Sequence, residues 1–468
     1  MGRHCLERLP GRSGAGLCRH SRGDHPRVLL RRPDGDPPDE VSARCRVRHL
    51  FPGAGTTGGV LARWLTGAGA LAPAGQTDVA GRQPEGGHAV TAAGTTRLPP
   101  QPLQAEDVAR RHAPVLLGRC LDLLEPALAT ADANGEAGRG APLMVDCTLG
   151  MGGHTQAALD RFQGLRVIGI DRDPQALRLA QARLARYGGR FLAVHGTYDQ
   201  VAEIVREHAP LLAGAADGTV DAVLMDLGVS SLQLDEAARG FAYSRPVPLD
   251  MRMDQTTGPT ARDLLATEDA ASLTWILRVY GEERFASQIA RAVVRRREAG
   301  NPVTTSQDLA DLVRQVVPAA SRRSGGHPAK RTFQALRVAV NSELEILETA
   351  VPRVLNCLRV GGRVVVESYQ SLEDRIVKRA LVSGATTRAP HGLPAVPDSD
   401  RPYLELLTHG AVRAGPDEVA LNPRAASVRL RAAARTRSVQ EAPAPEPRGG
   451  PYARRTDTSN RRGKAGKR

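Results

Sequence analysis

From about His112 onward the apolar positions fall into two alternating patterns. HAPVLLGRCLDLLEPAL (112–128) spaces them as one face of a helix does. By contrast, LMVD at the head of LMVDCTLGMGGH (143–154), then RVIGID (166–171), RFLAVHG (190–196) and VDAVLMDLG (220–228), are short continuous runs of strand length. Helical patterns separate them: TQAALDRF after the glycines at 150, 152 and 153, LRLAQARLARY after Asp173 and Pro174, which suit a cap and a first turn, and DQVAEIVREHA. Strands alternating with helices of this length predict a doubly wound α/β fold with a largely parallel sheet.

The alternation stops over 235–340. This stretch is charged and helix-leaning, with ATEDAASLTWILRVYG, RFASQIARAVVRRREAG and SQDLADLVRQVV as its clearest helices, and it predicts an inserted helical subdomain. NSELEILETAVPRVLNCLRVGG then predicts one long helix, kinked at Pro352 and closed by Gly361 and Gly362. A fifth strand RVVVES, a helix SLEDRIVKRAL and last strands in YLELLTHG and SVRLRAAA complete a sheet domain made of 106–234 and 341–435. Residues 1–105 are rich in Arg, Gly, Pro and Ala without sustained periodicity, and 436–468 are rich in Arg, Pro and Gly. Both are expected to be disordered basic ends, because such segments bury too little apolar surface to offset their ordering entropy. An internal start near Val108 is an alternative for the first of them, which a peptide from 11–44 in the mass spectrum of the native protein would exclude.

Composition adds two points. The formal charge of +14 over 468 residues calls for an anionic partner, nucleic acid first, or for basic ends that carry the excess. The six cysteines contain no C-x-x-C pair, so neither a zinc site nor a disulfide framework is indicated, and reduced thiols suit the cytoplasm. No run of about 18 apolar residues occurs, so neither a membrane span nor a signal peptide is expected.

The candidate chemistry starts at the glycine turn. It does not read G-x-G-x-x-G and no G-K-[ST] follows, which disfavours a dinucleotide oxidoreductase and a phosphate-binding loop. What remains is the turn and Asp171 at the end of the next strand, a carboxylate able to accept both hydroxyls of a ribose. That pairing suits S-adenosylmethionine, an adenosine that carries a sulfonium and no phosphate. Asp226 ends the fourth strand, so Gly152, Asp171 and Asp226 should face one crevice beyond the carboxyl ends of the strands. A carboxylate there could hydrogen-bond an exocyclic amine that receives a methyl group. Against each residue stands a bland alternative: the glycines as a tight connection, the acids as caps.

HAPVLL, VDCTLGMGGH, IGIDRDPQAL, DLGVSSLQLD, RGF, LDMRMD, YGEE, FQALRVAVNSELE, SLEDRIVK and NPRAASVRLR occur in this order. Over 110–435 the chain thereby resembles the bacterial methyltransferases that modify a decoding-centre cytosine of small-subunit ribosomal RNA on its exocyclic N4 amine. The resemblance implies a class I, Rossmann-like sheet with a helical insertion, S-adenosylmethionine as methyl donor, no metal, and 16S rRNA within the small ribosomal subunit as partner; a homodimer stays open. It places the donor site on Gly152, Gly153, His154, Asp171, Tyr198, Asp226 and Gln233. Asp226, Ser230 and Asn341 are the catalytic candidates, and Arg239, Phe241, Asp250, Arg252, Arg337 and Tyr369 the substrate-side ones, each with an ion pair or a packed ring as its structural alternative.

Tyr198 stands where the family commonly has phenylalanine, and SYQS (368–371) where it shows S-F-H-S. Gln370 therefore removes a titratable group, and the amine proton is expected to leave to water. Arg295, Arg296, Arg297, Arg322, Arg323, Lys330 and Arg331 are candidates for phosphate contacts. The target base is expected to be unpaired or flipped out. A catalytically silent RNA-binding or assembly factor that keeps the fold is the rival from another class.

Overall fold

Continuous apolar runs become strands where both faces of a sheet are covered, and this chain uses them that way. The computed structural model describes residues 114–445, apart from 134–139, 216, 243–245, 320, 322–326, 391 and 393–394, together with Tyr452. The expectations for 1–105, the start near Val108, and Arg322 and Arg323 lie outside the described residues.

Strands β1 (Leu143–Asp146), β2 (Arg166–Asp171), β3 (Phe191–His195), β4 (Val220–Asp226) and β5 (Leu358–Ser368) run parallel. β6 (Leu404–Leu406) and β7 (Arg429–Arg435) join antiparallel, giving a seven-stranded sheet in the order β3-β2-β1-β4-β5-β7-β6. On one face Met144, Val167, Leu224 and Val365 pack under α1 (Leu117–Ala133), α2 (Gly153–Arg161) and α3 (Pro174–Leu184). The alternate residues Val145, Ile168, Val223 and Val364 face the other way, into a core shared with α4 (Val201–Ala213). The strand order reverses between β1 and β4, which opens a crevice at their carboxyl ends. This is the doubly wound, mostly parallel sheet of a class I, Rossmann-like fold.

Between β4 and β5 lie α5 (Ser231–Asp235), α6 (Ala261–Thr267), α7 (Ala270–Gly281), α8 (Ala286–Glu298), α9 (Ser306–Val316) and α10 (Lys330–Asn341). Leu277, Ile289 and Leu336 of this insertion belong to the same core as Val145 and Val366, so the insertion is welded to the sheet rather than built around a core of its own.

Two expectations change. The expected long helix is one but shorter: Ser342, in the left-handed region at φ 50°, separates it from α10, and α11 (Glu343–Cys357) runs unbroken through Pro352. It stops at Cys357 rather than at the glycine pair. Leu358 already pairs with Val220, and residues 359–362 form a bulge before Arg363 meets Ala222. Gly361, at φ 82°, permits that bulge, a role that a helix-closing glycine pair mimics in sequence.

The tail also departs from expected disorder in its first part. Ala444 exchanges hydrogen bonds with the Asn356 side chain at 2.7 and 3.2 Å, and Arg435 donates to the Leu355 carbonyl at 2.8 Å. Small apolar side chains at Ala442 and Ala444 bury there, and the Tyr452 carbonyl accepts from the Tyr280 hydroxyl. Among the described residues no helix is long and apolar enough to cross a membrane.

Candidate active site

A cavity of about 960 Å³ opens at the carboxyl ends of β1, β2 and β4. That is room for a nucleoside-sized ligand with a second ring beside it.

The turn after β1 is built by its glycines. Gly152 lies at φ 78°, and a Cβ there would come within 2.9 Å of Leu184 Cδ1 on α3, so any side chain would be strained and would collide. Gly152 thus shapes the turn and packs on α3, while Gly150, Gly153 and His154 line the cavity. No side chain caps α2, which leaves the N–H groups of its first turn for a ligand.

Asp171 accepts from the Gly150 N–H at 2.7 Å and from the Asp173 N–H at 2.8 Å, one on each oxygen. A carboxylate oxygen has a second lone pair, so both can still accept from a ligand. Burial pushes the Asp171 carboxyl up to about 6, with the two N–H donors working against it. Tyr198 lines the same wall, its hydroxyl reaching the Glu343 carbonyl at 3.5 Å. Gln233 lines it too, but its amide is committed: it closes the capping box of α5 with Ser230 and donates to Asp173 at 3.1 Å.

Asp226 ends β4, and its side chain is 28% exposed, toward the cavity it lines. Its Oδ1 has no hydrogen-bond donor, and the Tyr369 hydroxyl faces the carboxylate. Phe241 and Tyr369 complete an apolar side of the cavity. Gln370, at the position where histidine was expected, caps α12 (Ser371–Gly384) and is tied to Glu373 at 2.7 Å and to Gln334 at 2.7 Å.

Several sequence candidates sit elsewhere. Arg239 is 2% exposed and clamps Asp173, itself 1% exposed, through both terminal nitrogens at 2.8 and 3.2 Å. It also holds Glu236 and the Met253 carbonyl, so its guanidinium is spent inside the protein. Arg252 forks onto Asp250 at 2.8 and 2.9 Å. Arg337 reaches the cavity wall but is bidentate to Glu343 at 2.8 Å. Asn341 is buried; it accepts from the Met253 N–H at 2.8 Å and donates to the Met251 carbonyl at 2.7 Å, holding a loop in which Met251 has φ 63°. Ser230 lines the cavity while its hydroxyl caps α5. The partners of these residues lie up to 90 positions away, where no spacing rule reaches.

The insertion's cations divide likewise. Arg296 pairs with Asp308 at 3.4 Å, and Arg297 donates to carbonyls at the end of α6 and just beyond it. Lys330 and Arg331 line the cavity, Arg331 donating to the Glu282 carbonyl. Two cations that the sequence reading left unassigned, Arg413 and Arg429, join Lys330 there, and none of these three has an acidic partner among the described residues. Arg429 lies within NPRAASVRLR, a signal already visible in the chain.

The model of the MraW methylase family matches residues 109–436. Ribosomal RNA small subunit methyltransferase H of Beutenbergia cavernae is 59% identical over 337 residues, covering 72% of this chain and 96% of its own length. The protein of the same name from a Nocardioides species is 56% identical over 325 residues, covering 69% and 97%. A solved rRNA methylase from Streptococcus thermophilus aligns over 67% of this chain and 97% of its own at 12% identity and a TM-score of 0.28, too weak a likeness to bear on the fold.

Proposed function

Since the chain belongs to the MraW methylase family, we propose that it transfers a methyl group from S-adenosylmethionine to the exocyclic N4 amine of a decoding-centre cytosine in 16S rRNA of the small ribosomal subunit. The observation that carries this is the placement of Asp171 and Asp226 on one cavity, at the ends of β2 and β4, the two strands that flank β1, one carboxylate suited to a ribose and the other to an amine.

The residues fit the donor. Asp171 would take the ribose hydroxyls, the Tyr198 ring would stack on adenine, and the uncapped start of α2 would face the amino-acid carboxylate. When bound, the donor supplies an electrophilic methyl on a positively charged sulfur. Asp226 accepts from the target amine and aims its lone pair, while Phe241 and Tyr369 exclude water around it. A conjugated amine is a weak nucleophile, so orientation and desolvation are the main help that these residues give.

Donor affinity should depend on pH through Asp171. The donor binds the ionised carboxylate, so protonation of Asp171, whose carboxyl burial pushes up to about 6, should weaken binding about tenfold per pH unit below pH 6. Calorimetry between pH 5 and 8 measures this, and a flat profile would remove Asp171 from the ribose seat. Asp171→Ala should weaken donor binding before it affects the transfer step.

Lys330, Arg413 and Arg429 are expected to hold RNA phosphates at the cavity mouth. Changing all three to Gln should flatten the dependence of log K on log salt by about 2–3, at about 0.7–1 per cation, with donor affinity unchanged. Labelled-methyl transfer to small subunits lacking the modification tests the function as a whole. Donor binding without any transfer, even to assembled subunits, would instead identify a silent assembly factor.

A further inference from the structure

Next to Asp226 lies a buried acid that the reading above does not use. Glu367 stands opposite Asp226 in the β4–β5 register and is 0% exposed, and no strong donor lies within hydrogen-bond distance of its carboxylate, which faces the weakly donating Cys120 thiol. His154 lies between the two acids. Its Nδ1 is 3.9 Å from Asp226 Oδ2, and its Nε2 is 3.5 Å from Glu367 Oε2 and 3.4 Å from the Val115 carbonyl. The other ionisable groups facing the cluster are Cys120 on α1, Asp146 on β1, Tyr369 after β5, and Glu418 on α13 (Pro416–Leu421).

An ionised carboxylate without a strong donor is costly in such an interior, and a second one beside it makes the cost larger. Burial first, and then the charge of Asp226, push the Glu367 carboxyl well above the usual range. With the cavity empty, Glu367 therefore carries a proton and Asp226, open to the cavity, carries the charge. A cationic donor beside Asp226 reverses that balance, because its sulfonium compensates a second negative charge.

We propose that Glu367 and His154 form a proton store behind Asp226, which empties when the cationic methyl donor binds and refills with the proton that the methylated amine releases. The proposal rests on the function proposed above. As the amine nitrogen bonds to the methyl carbon, the sulfur–methyl bond breaks with its electron pair left on sulfur, and the positive charge passes to nitrogen. The nitrogen gives one proton to the Asp226 carboxylate. That proton moves on to Nδ1 of His154 while the Nε2 proton of the same ring moves to Glu367. The donor has lost one positive charge and the cluster one negative charge, so Glu367 ends neutral, as it began. The gaps of 3.9 and 3.5 Å are wider than hydrogen bonds, as catalytic contacts in ligand-free enzymes often are. The store gives the amine proton a destination in a site from which water is excluded, and it does so without a histidine at position 370. Asp226 touches the substrate; His154 and Glu367 act through it as positioning residues.

Calorimetry of donor binding in buffers of different ionisation enthalpy counts the protons released. Near neutral pH the wild-type protein should release about half a proton or more on binding S-adenosylmethionine, and almost none on binding S-adenosylhomocysteine, the neutral thioether product. Glu367→Gln should bind the donor within about threefold of wild type, release no proton with either ligand, and lower kcat about tenfold or more with KM for the donor unchanged. Proton-free binding of the donor to the wild-type protein, or equal release with both ligands, would overturn the store while leaving the methyltransferase reading intact. Failure of the donor to bind would overturn both. Stoichiometric zinc in the purified protein would also overturn the store, because the ligand atoms of Cys120, His154 and Glu367 lie within 4.8 Å of one another and would then be occupied by metal. If Glu367→Gln does not fold, the comparison of donor with product on the wild-type protein decides alone.

Discussion

Asp226→Ala is expected to lower the rate of methyl transfer about 10²–10⁴-fold while changing donor affinity less than about tenfold. The asymmetry follows from where the carboxylate stands. It closes β4 at the switch point, is 28% exposed toward the cavity, and keeps Oδ1 without a donor. A target amine would reach the exposed part of the carboxylate from the cavity, whereas the proposed ribose seat is one strand beyond β1, at Asp171 on β2. Removing the carboxylate leaves the amine unaligned and wet, which affects the transfer step. Single-turnover transfer to unmodified small subunits measures the rate, and calorimetry measures the donor. Equal losses in both would show that Asp226 holds the donor rather than the target. Asp226→Asn keeps the volume but turns one acceptor into a donor, so it should lose nearly as much rate as the alanine variant.

Arg239→Ala is expected to destabilise the protein by about 3–5 kcal/mol, since it strands a buried carboxylate. Arg239 and Asp173 are 2% and 1% exposed, and two of the guanidinium's donors go to that one acid. For a domain of this size the loss corresponds to a thermal midpoint lower by about 4–7 °C. Donor affinity should fall with it, because Asp173 also caps α3 and accepts from Gln233, fixing the loop that carries Asp171. Arg239→Lys should recover less than half of the stability, since an ammonium cannot reproduce the planar fork. Calorimetric unfolding without RNA settles the role. An unchanged midpoint with a flatter salt dependence of RNA binding would return Arg239 to the substrate side.

The two aspartates and the arginine illustrate how differently a chain discloses its parts. The apolar runs at 143, 166, 191 and 220 determine strands, because only a sheet covered on both faces buries continuous runs of that length. Their alternation with helices determines a parallel sheet, and Asp171 and Asp226 become legible as crevice-lining residues simply by ending strands. All of that is local: period, length and punctuation. The long helix over 341–362 misled for the same reason, since Gly361 reads as a helix stop and serves as a bulge once Leu358 finds Val220.

What the sequence could not determine is which polar residues face each other across the fold. Asn341 is bound to a loop 90 residues earlier, Arg239 to Asp173 at a distance of 66, and Arg413 and Arg429 reach the rim from the far end of the sheet. Such contacts depend on where β5 and β7 dock and on how the insertion folds back onto the sheet core. Local spacing determined the strands, the crevice and its two acids in this protein. The tertiary structure alone decided which arginines are spent inside it, which cations remain at the mouth, and that Glu367 and His154 stand beside Asp226, because buried charges are placed by partners distant in the chain.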